Sequence, residues 1–325
     1  MKISEMDERE FNRFQNLIGQ TEKFYQNKEK SFRTEANYKT NMNEFCKYLA
    51  TETKINNIDN IKAKHIIGFV DQMKSGGLSN STQKIYLSAI RDFADRAKID
   101  QRNIPTNNRL GIGKRTIGNV DRTWSEKESQ DFKEVAKIYD VKNENSGKME
   151  LVLDIARNFG CRLEGILNLD LNAINKALDT GELSTKEKNG KINIKPVERL
   201  EQREILEKAK FFGDKNGNRK IFVEKNSDFK KTYKEIQNFI GNNREGIQEG
   251  DRIKSSDARA LYGQTKEIYK ANITIHGLRH TYLQEQRKLY ISQGISEKKA
   301  DLMVSKLAGH NRGEVTKIYL ASSSK

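Results

Sequence analysis

Three short segments lie close together in the last fifty residues: IHGLRHTY at 275–282, LAGHNR at 307–312 and IYL at 318–320. His276 precedes Arg279 by three positions, and Tyr319 follows His310 by nine. A single histidine near a helix start is more often structural than catalytic, and a single tyrosine here usually belongs to the core or the surface. Histidine, arginine and tyrosine together suit chemistry on a phosphate, because they supply hydrogen-bond donors, proton carriers and an oxygen nucleophile.

Two earlier segments add basic residues to this set. The tripeptide GCR at 160–162 follows an apolar helical pattern over 149–159 and begins a short second helix predicted over 162–169. The stretch ELSTKEKNGKINI at 182–194 holds Asn-Gly between two strand-like arms, a pair that tolerates the positive φ of a tight turn. It predicts a β-hairpin that projects Lys188 at its turn.

Together these segments resemble the catalytic signature of the tyrosine recombinases, the phage-integrase family. That signature has an arginine after Gly-x, a hairpin lysine with a proline eight residues on, His-x-x-Arg, Gly-His, and a tyrosine nine positions later. The chain matches it at Arg162, Lys188 with Pro196, His276, Arg279, His310 and Tyr319. The resemblance covers roughly residues 122–320, and more loosely the N-terminal part.

The resemblance implies that the chain cleaves and rejoins DNA without a metal or other cofactor. Tyr319 would attack a phosphate, form a 3′-phosphotyrosyl link and free a 5′-hydroxyl, which a second strand's 5′-hydroxyl can reverse without ATP. Arg162 and Arg279 would each present a planar donor fork to the phosphate oxygens. By analogy with oxyanion-hole donors, each is worth about 3–4 kcal/mol.

The implied proton transfers involve the hairpin and the two histidine motifs. Lys188 would be the general acid for the leaving 5′-oxygen, with Lys186 and Lys191 as nearby competitors. His276 would accept a proton or bind the phosphate, and His310 would donate to a phosphate oxygen. A metal site is not expected, because the chain has four histidines and two cysteines and no matching carboxylate set; His280 is expected to be buried behind the site.

Two departures from the family pattern bear on how the site is supported. The family has an acidic residue three positions after its first arginine, where this chain has Gly165, and the acid Glu164 comes one residue early. Either Glu164 substitutes for it or another group does. Only six residues follow Tyr319, so we expect the family's tetramer to assemble here through other surfaces, such as the N-terminal helices.

The first hundred residues predict a bundle of four amphipathic helices with no strand signal. Their apolar stripes are Phe11, Phe14 and Ile18; Tyr38, Met42, Phe45 and Leu49; Ile66, Ile67, Val70 and Met73; and Tyr86, Ile90, Phe93 and Ala97. The expected fold is mainly α with a small antiparallel β-sheet. A helical, SAM-like core-binding domain over 1–100 would precede an α+β tyrosine-recombinase catalytic domain over 122–325.

The stretch 101–121 predicts an exposed basic linker between these domains. It carries Arg102, Arg109, Lys114 and Arg115 in a segment rich in glycine, and we expect these side chains to lie along a DNA backbone. The whole chain has 60 Lys and Arg against 45 Asp and Glu, and both parts are basic: 21 against 14 in residues 1–120, and 39 against 31 thereafter. Two basic modules fit a protein that grips one polyanion.

The expected partner is double-stranded DNA with short inverted recognition sites, bound by a homotetramer during strand exchange. With no apolar run long enough for a membrane helix and only two cysteines, we expect a cytoplasmic enzyme. The favoured function is integration or excision of a mobile element, or a related exchange. The alternatives are a catalytically inactive regulatory or architectural DNA-binding protein, or a topoisomerase or telomere resolvase with the same chemistry; a metal-dependent nuclease fits least.

Overall fold

The chain forms two compact units, residues 1–116 and 117–325. The structure is a computed structural model, and it describes residues 3–26, 30, 32–115, 120–144, 147–187, 190–224, 227–258, 261, 267–310 and 313–320. Over those ranges no helix has the length and apolarity needed to cross a membrane.

The first unit is helical, as its four apolar stripes predict. Its helices are α1 (Glu8–Glu22), α2 (Phe32–Tyr48), α3 (Ala63–Ser75) and α4 (Asn80–Arg96). Asp7 begins α1 with a reciprocal capping box, in which its side chain accepts from the Glu10 amide and the Glu10 carboxylate accepts from the Asp7 amide. Ser79 caps α4 by accepting from the Thr82 amide. The core of the unit includes Leu17, Phe45, Val70 and Phe93.

The segment predicted as an exposed linker is in part packed onto this first core. Ile104, Leu110 and Ile112 are all buried among the side chains of the helical bundle. The Lys74 ammonium group also donates a 2.7 Å hydrogen bond to the Leu110 carbonyl oxygen. The prediction of an exposed linker over 101–121 is therefore wrong for its first half, because these apolar residues follow no helical or strand period that would reveal their burial.

The second unit is rich in helices and contains two small sheets. Its helices are α5 (Glu126–Lys142), α6 (Lys148–Phe159), α7 (Leu163–Leu167), α8 (Leu171–Thr180), α9 (Leu200–Asn216), α10 (Phe229–Asn243), α11 (Ile275–Ser292) and α12 (Glu297–Leu307). Its strands are β1 (Val120–Asp121), β2 (Glu182–Lys186), β3 (Ile192–Pro196) and β4 (Tyr269–Lys270). Helix α6 contacts α5, α9 and α11, and its side chains are buried on nearly every face.

The two sheets differ in how they are joined. Strands β2 and β3 form the predicted antiparallel hairpin, in which Leu183 pairs with Lys195 and Thr185 pairs with Asn193. These four residues are buried, whereas Ile192 and the other isoleucine of β3 face outward. The inner face of the hairpin is therefore largely polar. Strands β1 and β4 pair in parallel over two residues.

Candidate active site

Gly160 turns the chain out of α6 and places Arg162 in the centre of the second unit. Its φ of +58° lies in the left-handed region, and a Cβ there would come within 2.3 Å of Cδ1 of Tyr282. Only glycine satisfies both conditions without strain. Two residues later, Arg162 precedes α7 in an extended conformation, with its side chain one-quarter exposed.

Arg279 lies in the first turns of α11 and is fully buried. Its Nη1 donates to the Gly160 carbonyl oxygen and its Nη2 to the Ala308 carbonyl oxygen, both at 2.6 Å. Its Nε is buried without a hydrogen-bond partner among the described residues. The Nη groups thus join the segments that carry Arg162 and His310. Only the N–H groups of Arg279 that take no part in these hydrogen bonds remain to face a phosphate.

The start of α11 is fixed by very close packing at Gly277. A Cβ at this position would lie 2.4 Å from the Arg122 carbonyl oxygen and 2.6 Å from Nε1 of Trp124. The same indole nitrogen donates to the Thr274 carbonyl oxygen at 2.9 Å. This packing holds His276 in the first turn of an eighteen-residue helix, where unpaired amides and the helix dipole favour an anion.

Tyr319, His310 and Arg162 form a continuous polar chain. The Tyr319 hydroxyl lies 3.3 Å from Nε2 of His310, and that nitrogen lies 3.3 Å from Nη2 of Arg162. A guanidinium group has no acceptor, so it donates and Nε2 of His310 accepts. The single lone pair of Nε2 therefore lies within reach of two donors, the Arg162 guanidinium group and the Tyr319 hydroxyl.

The Tyr319 ring is packed inside its own chain. It is 3% exposed and belongs to a core cluster with Leu283 and Val304. The Gln284 side chain donates a 2.7 Å hydrogen bond to the Tyr319 carbonyl oxygen, and Cζ of Arg279 lies 5.6 Å from the ring centroid.

The three histidines of the site favour their neutral forms. Burial first, and then the charges of Arg162 and Arg279, lower the pKa of His310 to about 4. The pKa of His276 is lowered because the surrounding protein displaces water from its ring and because Arg279 and Arg162 are cationic, although part of the residue stays exposed. Burial likewise lowers the pKa of His280, whose ring centroid is 4.7 Å from that of Tyr319. A neutral imidazole can accept a proton.

His310 rather than His276 is the histidine beside the phenol hydroxyl. The ring centroids of His276 and His310 lie at similar distances from that of Tyr319, 6.3 and 6.1 Å. Within the described ranges, however, only His310 of these two is within hydrogen-bond distance of the Tyr319 hydroxyl, at 3.3 Å. The family resemblance implies that His276 accepts a proton or binds the phosphate, and that His310 donates to a phosphate oxygen. In the structure it is His310 that lies next to the Tyr319 hydroxyl.

Lys188, the expected general acid, lies outside the described residues, as do the Asn189 of its turn and the tail 321–325. Its competitor Lys191 is exposed and donates to the Gly309 carbonyl oxygen. A further lysine, which the sequence pattern did not single out, is the fully buried Lys195, which donates to the Leu307 carbonyl oxygen at the end of α12. Burial, and then the charge of Arg279, lower its pKa to about 7.

Glu187 is, after Lys195, another buried ionisable residue of the site that the sequence pattern did not single out. It follows β2 directly, is 3% exposed, and forms an ion pair with Nη1 of Arg162. Its other carboxylate oxygen lies 3.5 Å from Nη1 of Arg279. Glu164, the acid next to the departure at Gly165, makes no ion pair with any of the residues that the structure describes.

The basic residues expected along DNA lie in the first unit and are exposed; they are Arg102, Arg109, Lys114 and Arg115. The side chain of Arg102 is 91% exposed and pairs with Asp100 at 2.5 Å. Asp100 stands one position before the predicted linker 101–121, so the sequence pattern did not reveal this pairing.

Comparison with known proteins agrees with this architecture. The model of the family described as "Phage integrase family" matches residues 129–325, and the model of the "Phage integrase, N-terminal SAM-like domain" matches residues 21–99. A search of curated proteins finds no match.

Several solved structures share the fold at low sequence identity. A lambda integrase dimer bound to a COC′ core site is 16% identical, with 96% of each chain covered and a TM-score of 0.58. The XerH site-specific recombinase bound to a difH substrate is 18% identical, with 97% of this chain and 86% of that one covered and a TM-score of 0.56. A lambda integrase tetramer bound to a Holliday junction is 16% identical, with 92% and 77% covered and a TM-score of 0.53.

A helical unit followed by a helix-rich unit, with two arginines, histidines and a tyrosine brought together in the second, defines the tyrosine-recombinase class. The chain belongs to the phage integrase family. The expected fold, mainly α with a small antiparallel sheet, is confirmed.

Proposed function

We propose that the protein is a site-specific DNA recombinase that acts through a 3′-phosphotyrosyl intermediate at Tyr319. The observation that carries the proposal is the polar chain from the Tyr319 hydroxyl through Nε2 of His310 to Nη2 of Arg162, with both steps at 3.3 Å. It sets a nucleophile, a neutral proton acceptor and a cation side by side. That arrangement suits attack on a phosphodiester.

In the forward step, the Tyr319 oxygen bonds to phosphorus as the bond from phosphorus to the 5′-oxygen breaks. The tyrosine proton passes to His310, which its lowered pKa keeps in the neutral form. Lys188 gives a proton to the leaving 5′-oxygen. Arg162 and the remaining donors of Arg279 offset the charge that builds on the non-bridging oxygens, and His276 binds a phosphate oxygen at the start of α11.

In the reverse step, the 5′-hydroxyl of another strand attacks the phosphotyrosyl group and gives its proton to Lys188. The tyrosine oxygen leaves and regains a proton from His310. Each transfer exchanges one phosphodiester for another of similar energy, so ATP is not needed. In the proposed mechanism Arg162 and Arg279 supply the charge stabilisation that a metal ion would otherwise give.

The proposed substrate is double-stranded DNA with short inverted sites, held by a homotetramer of this chain. Support comes from relatives that share the fold, one a tetramer bound to a Holliday junction and one bound to a difH substrate. The basic charge of both units supports contacts to the DNA backbone. We assign the first unit, residues 1–116, to a core-binding domain and the second unit, residues 117–325, to the catalytic domain. The proposed biological role is integration or excision of a mobile element.

A relaxing topoisomerase or a telomere resolvase would use the same phosphotyrosine step, because none of the described residues of the site specifies strand exchange. A topoisomerase acts as one protomer on one duplex, whereas a recombinase needs synapsed sites. Relaxation of supercoiled plasmid at protein concentrations too low for assembly would favour the topoisomerase. Exchange between two marked sites would favour the recombinase.

The direct test is a nicked suicide substrate incubated with the protein in the presence of a chelator. We expect a protein–DNA band that survives denaturant, and its absence with Tyr319→Phe although that variant still binds DNA. An adduct formed by Tyr319→Phe would overturn the choice of nucleophile. DNA binding by wild type without any adduct would favour the inactive DNA-binding alternative.

The role of Lys188 can be tested separately with a substrate whose 5′ leaving group is a thiol. A thiolate leaves without a proton, so Lys188→Ala should slow adduct formation far less on this substrate than on the natural one. Lys191→Ala is the matched control on the same hairpin. Equal slowing of Lys188→Ala on both substrates would assign the proton to another group.

A further inference from the structure

One carboxylate, that of Glu187, joins both arginines of the site. Its Oε2 pairs with Nη1 of Arg162, and its Oε1 lies 3.5 Å from Nη1 of Arg279. Its Oε1 also accepts a 3.3 Å hydrogen bond from Nδ2 of Asn193 on β3. A residue of the hairpin thereby connects the start of α7 to α11.

The backbone around Glu187 is held as firmly as its side chain. The Glu187 amide donates to the Lys191 carbonyl oxygen at 2.8 Å, and the Glu187 carbonyl oxygen accepts from the Gly190 amide at 3.1 Å. The carboxylate thus has a fixed origin at the base of the hairpin turn. Because its backbone is held by these hydrogen bonds, the Glu187 carboxylate can fix the orientation of a guanidinium group that it contacts.

Two guanidinium groups at close range need an anion between them. Arg279 is fully buried and Arg162 is one-quarter exposed, and each repels the other. Burying such charges without a counter-ion is strongly destabilising. Glu187 is the carboxylate that lies between them within the described part of the chain.

Glu187 also fills the space next to the residue where the family pattern has its acid. A Cβ at Gly165 would lie 3.3 Å from Cβ of Thr185 and 3.5 Å from Cγ of Glu187. Gly165 lies inside α7 and has no positive φ, so its backbone would accept a side chain. The obstacle to an acid at position 165 is therefore the hairpin itself, where a carboxylate already occupies the region.

We infer that Glu187 is a positioning residue, which supplies from the hairpin the carboxylate that the chain lacks at Gly165 and sets the orientation of Arg162 for phosphate. This deepens the proposed function and rests on it. Occupying Nη1 of Arg162 leaves Nη2 toward His310 and the phenol. Glu187 also precedes Lys188, so the same turn carries the support of the arginines and the proposed acid.

The test compares Glu187→Ala, the double variant Glu187→Ala/Gly165→Asp, and the control Glu164→Ala in the full chain. Removing Glu187 should slow adduct formation by a factor of about 10², the effect of a displacement of roughly 1 Å in a catalytic group. DNA binding should change little. Removing the Glu187 side chain opens the space beside Gly165, so the added aspartate should restore at least a factor of about 10. Glu164→Ala should keep the wild-type rate.

Rescue by the added aspartate separates positioning from a general loss of packing, because a side chain in α7 cannot repair the packing of the hairpin. Gly165→Asp alone should lower the rate, since its side chain then competes with Glu187 for the same space. Faster adduct formation by Glu187→Ala would mean that the carboxylate is a substitute for phosphate that DNA must displace, and would overturn the inference. So would an unchanged rate, or slowing without rescue.

The leaving-group chemistry gives a second, independent readout. If Glu187 acts through the arginines, Glu187→Ala should be slowed equally on the natural and the 5′-thiol substrates. Slowing confined to the natural substrate would mean that it positions Lys188 instead, which contradicts the inference. If wild type forms no adduct on either substrate, the proposed function fails, whereas a wild-type adduct with an unaffected Glu187→Ala rejects only the role of Glu187.

Discussion

Gly160→Ala should destabilise the second unit more than its left-handed backbone alone explains. An L-residue at a φ of +58° costs about 1–2 kcal/mol. The new Cβ would also lie 2.3 Å from Cδ1 of Tyr282, and such overpacking costs about 1–3 kcal/mol more. The expected loss of unfolding free energy is therefore about 2–5 kcal/mol.

Gly181→Ala is the matched control. Gly181 also follows a helix with a positive φ, +73°, but a Cβ there meets nothing within 4 Å, so only the backbone cost of about 1–2 kcal/mol applies. Urea titration can follow the second unit alone, because Trp124 is the single tryptophan of the chain and is buried there. Equal losses in the two variants would refute the reasoning from Tyr282.

Three further outcomes follow from the charges of the structure. A lysine in the unfolded chain has a pKa of about 10.4, whereas burial lowers the pKa of Lys195 in the folded protein to about 7. Between these two pH values, unfolding takes up a proton. The free energy of unfolding should therefore rise by about 2 kcal/mol between pH 7.5 and 9.5 because of this group. Lys195→Met should remove that gain and the exposed control Lys191→Met should keep it, and identical slopes in urea titrations would contradict the assignment. In the NMR spectrum of the DNA-free protein, the His310 ring should titrate near pH 4, and a midpoint above 6 would show that its burial and nearby arginines do not act as described. Arg109→Ala should lower the slope of log K against log salt for DNA binding by about one. Arg102→Ala should lower it by less, because the ion pair of Arg102 must first break. Equal slopes for wild type and Arg109→Ala would show that Arg109 does not contact a DNA phosphate.

The helices that the sequence predicts are those with a strong apolar stripe. Helices α1 to α4 lie where their apolar stripes predict them, and α6 and α7 match the helices predicted over 149–159 and 162–169. Helix α5 was missed, although Ser125 and Glu128 form a reciprocal capping box at its start. Its stripe is weaker because it is rich in charged residues.

The candidate site was predictable where a residue type has a fixed sequence context, and not where its role depends on tertiary packing. Arg162, Arg279, His310 and Tyr319 come together in the second unit as their motifs suggest. Glu187 belongs to no motif, because its importance depends on two arginines from other elements. Strand alternation alone would also place the lysine Lys195 outside, since its isoleucine neighbours are the apolar residues of β3.

The order of these segments along the chain has a consequence during protein synthesis. Arg279 donates to carbonyl oxygens 119 positions before it and 29 positions after it, and Tyr319 follows every other residue of the site. A chain still on the ribosome contains the first basic unit and the GCR segment long before it contains the proposed nucleophile. If Tyr319 has the proposed role, a nascent chain, or one cut short before residue 319, carries basic residues that suit DNA but lacks the group proposed to break it.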